Sequence, residues 1–237
     1  MAVDLHNTRI FADGANRDGI LELRSNPLIQ GFTTNPTLMR AAGVEDYESF
    51  AIDLVGLIPD RPISFEVFSD DADGMLRQAL KIATWGSHVH VKIPITDTFG
   101  TSTAPVQRAL AAEGVQLNAT ALLTLEQVEE VADALAGGPH SFVSVFAGRV
   151  ADTGRDPVPH MKQALEILAP HDNLELLWAS PREILNVVQA AEIGCPVITV
   201  THDLLKKLDW IGRDLGEVSL DTVRMFHNDA TLSGYSL

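Results

Sequence analysis

Short apolar runs alternate with amphipathic helical stretches from one end of the chain to the other, and this alternation limits what the chain can become. Segments near Arg9–Asp13, Gly31–Thr34, Ile63–Val67, Val89–Ile93, Gln116–Thr120, Ser141–Phe146, Glu175–Ala179 and Val197–Val200 read as strands. Between them, Met75, Leu76, Ala79, Leu80 and Ala83 form one helical stripe. Leu125, Val128, Val131, Ala132 and Leu135 form a second, and Ile184, Val187, Val188 and Ala191 a third. Two segments have the form of capping boxes at helix starts: Thr124-Leu125-Glu126-Gln127, and Ser180-Pro181-Arg182-Glu183 with proline at the first helical position. Eight strands, each followed by a helix, predict an α/β fold of the (β/α)8 TIM barrel type. An open doubly wound sheet is the alternative, weakened because no G-x-G-x-x-G follows the first strand. No repeat, linker or low-complexity tract divides the chain, so residues 1–237 read as a single barrel domain. Residues 220–237 read as an extra C-terminal helical tail, with Val223, Phe226 and Ala230 on one face, docked on the barrel or on a neighbour.

Hydrophobic residues make up 46% of the 237, enough for a sizeable core, yet no apolar run is long enough to span a bilayer. The start, Met1-Ala2-Val3-Asp4-Leu5-His6, lacks the basic and apolar regions of a signal peptide. Cys195 is the single cysteine, which excludes an intramolecular disulfide and a cysteine metal cluster and fits a reducing cytoplasm. It reads as a small buried residue before a strand. A formal net charge of −15 argues against a nucleic-acid surface, though a few local cations suffice for one phosphate. The eight histidines show no H-x-x-x-H or H-E-x-x-H spacing. His88 and His90 share a strand face, but no third ligand follows at a telling interval, so no metal or other cofactor is expected.

The strand His88-Val89-His90-Val91-Lys92-Ile93-Pro94 carries a lysine in an otherwise buried pattern. Alone, such a lysine reads as lying on a solvated face, because its charge is costly to desolvate. The other strands change that reading. Asp13 shares a face with Phe11; Ser64 and Glu66 alternate with Ile63, Phe65 and Val67; Asn118 and Thr120 alternate with Leu117, Ala119 and Ala121; Ser144 and Phe146 alternate with Val143 and Val145. In a barrel, one set packs under the helices and the other points inward. Asp13, Glu66, Lys92, Asn118, Thr120 and Ser144 then converge on the interior, mostly late in their strands, at the C-terminal mouth where barrel active sites are built.

A lysine among carboxylates, amides and hydroxyls suits covalent catalysis on a carbonyl. Its amine has a reference pKa of about 10.4, and partial burial favours the neutral nucleophile. Attack on a ketone and loss of water give a Schiff base, whose iminium accepts the electrons of an adjacent breaking C–C bond. A base must also take the proton of the neighbouring hydroxyl, which suits Asp13 or Glu66.

These residues lie in stretches that resemble the transaldolase family, within it the short subfamily that also contains fructose-6-phosphate aldolase. Phe11-Ala12-Asp13 resembles the first-strand aspartate motif, and Gly31-Phe32-Thr33-Thr34-Asn35-Pro36 the threonine-threonine-asparagine-proline signature. Val91-Lys92-Ile93-Pro94 is similar to the Schiff-base lysine motif. Leu117-Asn118-Ala119-Thr120, Ser144-Val145-Phe146-Ala147-Gly148-Arg149 and Ala179-Ser180-Pro181-Arg182 resemble the motifs of the fifth, sixth and seventh strands. The resemblance implies Schiff-base transfer of a dihydroxyacetone unit from a ketose phosphate, such as sedoheptulose 7-phosphate or fructose 6-phosphate, to an aldose phosphate, as in the pentose phosphate pathway. It implies Lys92 as the Schiff-base residue, Asp13 as the base, and Glu66 and Thr120 as holders of a proton-shuttling water. It implies that Thr34, Asn35, Asn118, Ser144 and Phe146 contact the sugar and that Arg149, Ser180 and Arg182 bind its phosphate. The last group also suits the ligand chemically, since guanidinium forks match phosphate oxygens and a helix start favours an anion. A homo-oligomer, pentamer or decamer, is implied as well.

Glu66 and Phe146 follow the transaldolase pattern; the aldolase members resemble one another in glutamine and tyrosine there, so aldolase-like release of dihydroxyacetone is the alternative. Other positions depart from the family: Gly14 for a usual threonine or serine, Val145 for proline, Pro181 for phenylalanine, Thr201-His202 where proline is common, and a longer polar stretch from Asp97 to Pro105. They ring the mouth, which allows a specialised biosynthetic transaldolase acting on an unusual sugar phosphate.

Overall fold

A computed structural model describes Leu5 and residues 7–235. Strands β1 (Arg9–Asp13), β2 (Ile29–Thr33), β3 (Ile63–Glu66), β4 (Val89–Pro94), β5 (Leu117–Leu122), β6 (Ser141–Val145), β7 (Leu174–Trp178) and β8 (Val197–Thr201) form a closed parallel barrel in chain order. Around it run helices α1 (Arg17–Arg24), α2 (Pro36–Ala41), α3 (Tyr47–Leu57), α4 (Ala72–Ala83), α5 (Ala104–Ala112), α6 (Leu125–Leu135), α7 (Ala147–Asp152), α8 (Pro157–Leu168), α9 (Leu185–Glu192), α10 (His202–Leu205) and α11 (Leu215–Ser233). This is the (β/α)8 fold. Strand ends differ from the sequence reading by a residue or two, the β2 start most visibly, at Ile29.

Alternation along each strand builds two apolar layers. Ile10, Phe32, Phe65, Val91, Ile93, Val143 and Trp178 pack outward under the helices. Inside, Phe11, Phe142, Leu177 and Val197 form an apolar plug, with Phe11 and Phe142 edge to face at 5.3 Å. The plug closes the interior below the mouth. On the far side of it His90 stacks against Phe142 at 4.6 Å and meets His140, and burial pushes its imidazole down to about 3. Among the described residues, no three His, Cys, Asp or Glu side chains are grouped as a metal ion would need. Cys195 is buried at the base of β8, and burial pushes its thiol up to about 12.

Most helix starts follow local chemistry. Thr124 and Gln127 form the expected capping box on α6, and Asn16, Asp46, Asp71 and Asp214 accept from first-turn amides of their helices. The second expected box is absent. Ser180 is left-handed at φ +60°, and α9 opens only at Leu185. The amides of Arg182 and Glu183 donate instead to Asn186 Oδ1, at 2.8 and 3.2 Å. A left-handed residue cannot hold the extended backbone of an N-cap, so Ser180 belongs to the loop. Two stripes pack as read, while Leu80 of the first is left 41% exposed. Helix α11 opens at Leu215, before the Leu220 read from the sequence, and none of its side chains is buried. No helix among the described residues is long and apolar enough to cross a membrane.

Candidate active site

Barrel register brings the polar residues together. Glu66 pairs with Lys92, and Lys92 with Asn118, so three neighbouring strands place these side chains in one row. Asp13 closes the row from β1, opposite Thr33 on β2 and Thr201 on β8. A cavity at the C-terminal mouth is lined by Asp13, Asn35, Glu66, Lys92, Asn118, Thr120, Ser144, Phe146, Arg149, Ser180 and Arg182.

Lys92 is only 7% exposed. Its Nζ lies 3.2 Å from a Glu66 carboxylate oxygen and donates to the Thr34 carbonyl at 3.1 Å. A buried ammonium without partners would be costly, and these two oxygens satisfy it while holding the amine at the mouth. Asn118 links two further strands: its amide donates to Ser64 Oγ at 3.0 Å, and its carbonyl accepts from Ser144 Oγ at 2.6 Å. Thr120 Oγ1 is buried without a partner. An unpaired buried hydroxyl is costly, and such atoms concentrate where a ligand or water is to be held.

Asp13 accepts from Thr33 Oγ1 at 2.7 Å, and Thr33 Oγ1 meets Thr199 Oγ1 at 2.5 Å. Burial raises the Asp13 carboxyl above its ordinary value; Lys92, the Thr33 hydroxyl and His202 pull it partly back. The result is a stronger base than a surface aspartate.

At the opposite wall, Gly148 at the start of α7 lies under the backbone of Ser180. A Cβ on Gly148 would stand 1.6 Å from the Ser180 carbonyl oxygen, so only glycine permits this approach. Ser180 and Ala121, both lining the cavity, hold φ near +60°, uncommon for residues with a side chain and typical of functional loops. Arg182 Nη1 donates to Ser180 Oγ at 2.9 Å, and its Nε reaches Asp152 at 2.9 and 3.1 Å. The Arg182 hydrogen bonds hold the Asp152 carboxyl below the usual range. Arg149 lies over the Phe146 ring at 5.7 Å.

Eleven of the twelve side chains singled out from the sequence thus line one cavity; Thr34 does not. Its hydroxyl is buried and donates to the Ser64 carbonyl at 3.1 Å, and only its backbone oxygen faces the site, through Lys92. Asn35 lines the cavity but spends its side-chain oxygen on the Leu38 amide of α2, leaving its amide nitrogen to donate. Sequence reasoning passed over Thr33, Thr199 and Asp152. The first two follow from strand alternation with the outward-packed Phe32 and Ile198. Nothing local marks Asp152, whose role comes from a loop thirty residues on in the chain.

The Transaldolase/Fructose-6-phosphate aldolase family profile matches residues 10–233. Proteins named "Probable transaldolase" from Dehalococcoides mccartyi, Methanococcus maripaludis and Heliobacterium modesticaldum are 34%, 32% and 35% identical over 201 residues, 84% of this chain and 89% of each relative. Among solved structures, 3-hexulose-6-phosphate synthase from Salmonella typhimurium aligns at TM-score 0.55 and 14% identity, covering 82% of this chain and 89% of that one. KGPDC from Streptococcus mutans aligns at TM-score 0.54 and 14% identity, covering 83% and 88%. The solved structures share the fold alone, whereas the sequence match spans nearly every strand and helix of the barrel: the chain belongs to the transaldolase/fructose-6-phosphate aldolase family.

Proposed function

We propose that the protein is a transaldolase that works through a Schiff base on Lys92. One observation carries the reading: a buried amine at the barrel mouth, 3.2 Å from a carboxylate, beside an unpaired threonine hydroxyl and a base of raised pKa. Glu66 takes a proton from the Lys92 ammonium, directly or through a water bridging to Thr120. The free amine attacks the donor ketone, and the carbinolamine oxygen leaves as water. Asp13 then removes the proton of the hydroxyl next to the scissile bond. That C–C bond breaks, its electron pair enters the iminium, and an aldose leaves. Asn35, Asn118 and Ser144 hold the dihydroxyacetone enamine by its hydroxyls. A second aldose phosphate accepts the enamine carbon, Asp13 returns the proton, and hydrolysis frees Lys92. Arg149, Ser180 and Arg182 bind phosphate, guanidinium forks matching its oxygens.

Phe146 supports transfer over release of free dihydroxyacetone. Its half-buried ring lines the cavity, is covered by Arg149, and has no polar atom to position a proton for the enamine. After β4, Asp97 accepts from the amides of Phe99 and Thr101, and Thr98 N donates to Asp70 at 2.8 Å, so this longer loop is pinned beside the mouth. A homo-oligomer is supported by α11, whose Leu220, Val223 and Phe226 are 49%, 59% and 62% exposed. Helices in water owe most of their stability to the burial of an apolar face, and a second copy of the chain supplies the cover.

The decisive experiment is intact and peptide mass after borohydride treatment with fructose 6-phosphate. The expected result is one reduced dihydroxyacetone adduct on the peptide containing Val91-Lys92-Ile93, absent in Lys92→Ala. An adduct persisting in that variant overturns the assignment.

A further inference from the structure

The residue after the base is glycine, and a histidine fills the space beside it. His202 opens α10 directly after β8, whose Thr201 pairs with Asp13 across the barrel seam. Its imidazole occupies a slot between β1 and α1. A Cβ on Gly14 would stand 2.9 Å from His202 Nε2, and one on Gly19 would stand 2.6 Å from its Cε1. Real Cβ atoms do not come that close, so either glycine replaced by a larger residue would push the ring out. The ring takes no part in capping α10, and its Nε2 is buried without a partner. An imidazole nitrogen enclosed beside Gly14 without a partner costs stability in return for nothing in the fold.

We propose that His202 is a positioning residue for the Asp13 base, held by the Gly14 and Gly19 slot so that the two groups ionise as a coupled pair. This deepens the reading of Asp13 as the proton acceptor and rests on it. Four charged groups act on the imidazole: Asp13 at the end of β1, Glu22 in α1, Asp203 in α10 and Lys206 just past the end of α10. Burial and Lys206 oppose its protonation, and Asp13, Asp203 and Glu22 favour it. Lys206 is partly answered by Asp203, 3.1 Å away. As pH falls, an imidazolium forms beside Asp13 and keeps the carboxylate ionised against the burial that favours its neutral form. The base then stays competent to lower pH than the same buried aspartate supported only by Lys92 and the Thr33 hydroxyl.

Two measurements test this. The first is an NMR titration of the His202 ring in substrate-free protein, with the resonance assigned by His202→Gln. Asp13→Asn removes the opposing charge and should lower the His202 midpoint by about half a pH unit or more. An unchanged midpoint overturns the coupling. The second is the pH profile of kcat. His202→Gln removes the titrating group at similar volume, and Gly14→Ala displaces the ring while leaving it in the chain. Both should move the acid limb upward by about half a unit. An acid limb that stays in place in both variants overturns the proposal, whatever happens to the absolute rate. Borohydride trapping at Lys92 in each variant separates the two levels of inference. If no adduct forms even in the native protein, the transaldolase reading fails while the ring titration still decides whether Asp13 and His202 are coupled.

Discussion

Asp13 is where stability and chemistry conflict. Its carboxyl is buried, and its folded pKa lies above the ordinary 3.8. The folded state therefore binds its proton more tightly than the unfolded state does. That contribution to stability is complete below the unfolded value and is lost as pH rises through the folded one. At neutral pH the ionised carboxylate is a net cost, only partly offset by Lys92 and the Thr33 hydroxyl. Asp13→Asn keeps an acceptor for Thr33 and removes the charge. We expect the variant to melt higher than the native protein at pH 7, with the difference shrinking as pH approaches 4. Schiff-base formation at Lys92 should persist while cleavage falls by about 10²–10⁴-fold, the usual contribution of a positioned acid–base group. Calorimetry across pH and single-turnover cleavage check the two halves; a lower melting point at pH 7 contradicts the assigned burial cost.

At the scale of elements, the proposed phosphate corner depends on how α7 meets the loop after β7. The two segments touch where Gly148 passes under Ser180, with room for hydrogen and nothing larger. Ser180 is held at positive φ there, and its hydroxyl steadies Arg182. Gly148→Ala must separate the two segments. Overpacking of this kind costs about 1–3 kcal/mol of stability. Moving Ser180 and Arg182 should also cost a charged hydrogen bond to phosphate, about 1.5–3 kcal/mol, or roughly ten- to a hundredfold in KM for phosphorylated sugars. Unphosphorylated acceptors should lose little. Steady-state kinetics with paired acceptors check this; an equal loss for both places the phosphate elsewhere.

For the whole molecule, the proposed assembly rests on the exposed face of α11. Its nineteen residues leave the barrel after the short 3-10 turn Leu208–Trp210, capped by Asp214. Leu220, Val223, Phe226 and Ala230 share one face, and none is buried in the single chain. Val223→Asp with Phe226→Asp should shift sedimentation from an oligomer toward monomer at micromolar concentration, while circular dichroism retains the barrel. A native protein that sediments as a monomer contradicts the proposed assembly.

Much of this could be read in the sequence, for a physical reason. Strand alternation decides which side chains face inward, and the count of strand–helix units decides closure, so Lys92, Glu66, Asn118, Thr120 and Ser144 were recognisable as a cluster from local pattern alone. What local pattern could not decide is how a side chain is used once neighbours from distant segments arrive. Thr34 turns its hydroxyl to Ser64, and Ser180 leaves its expected cap for a left-handed loop over Gly148. Asp152 joins Arg182, and His202 fills the slot opened by Gly14 and Gly19. The sequence by itself determined the barrel, the inward face of each strand and the family. Only tertiary structure decided the partners, because hydrogen bonds and close approaches depend on distances between segments far apart in the chain, and no periodicity encodes those.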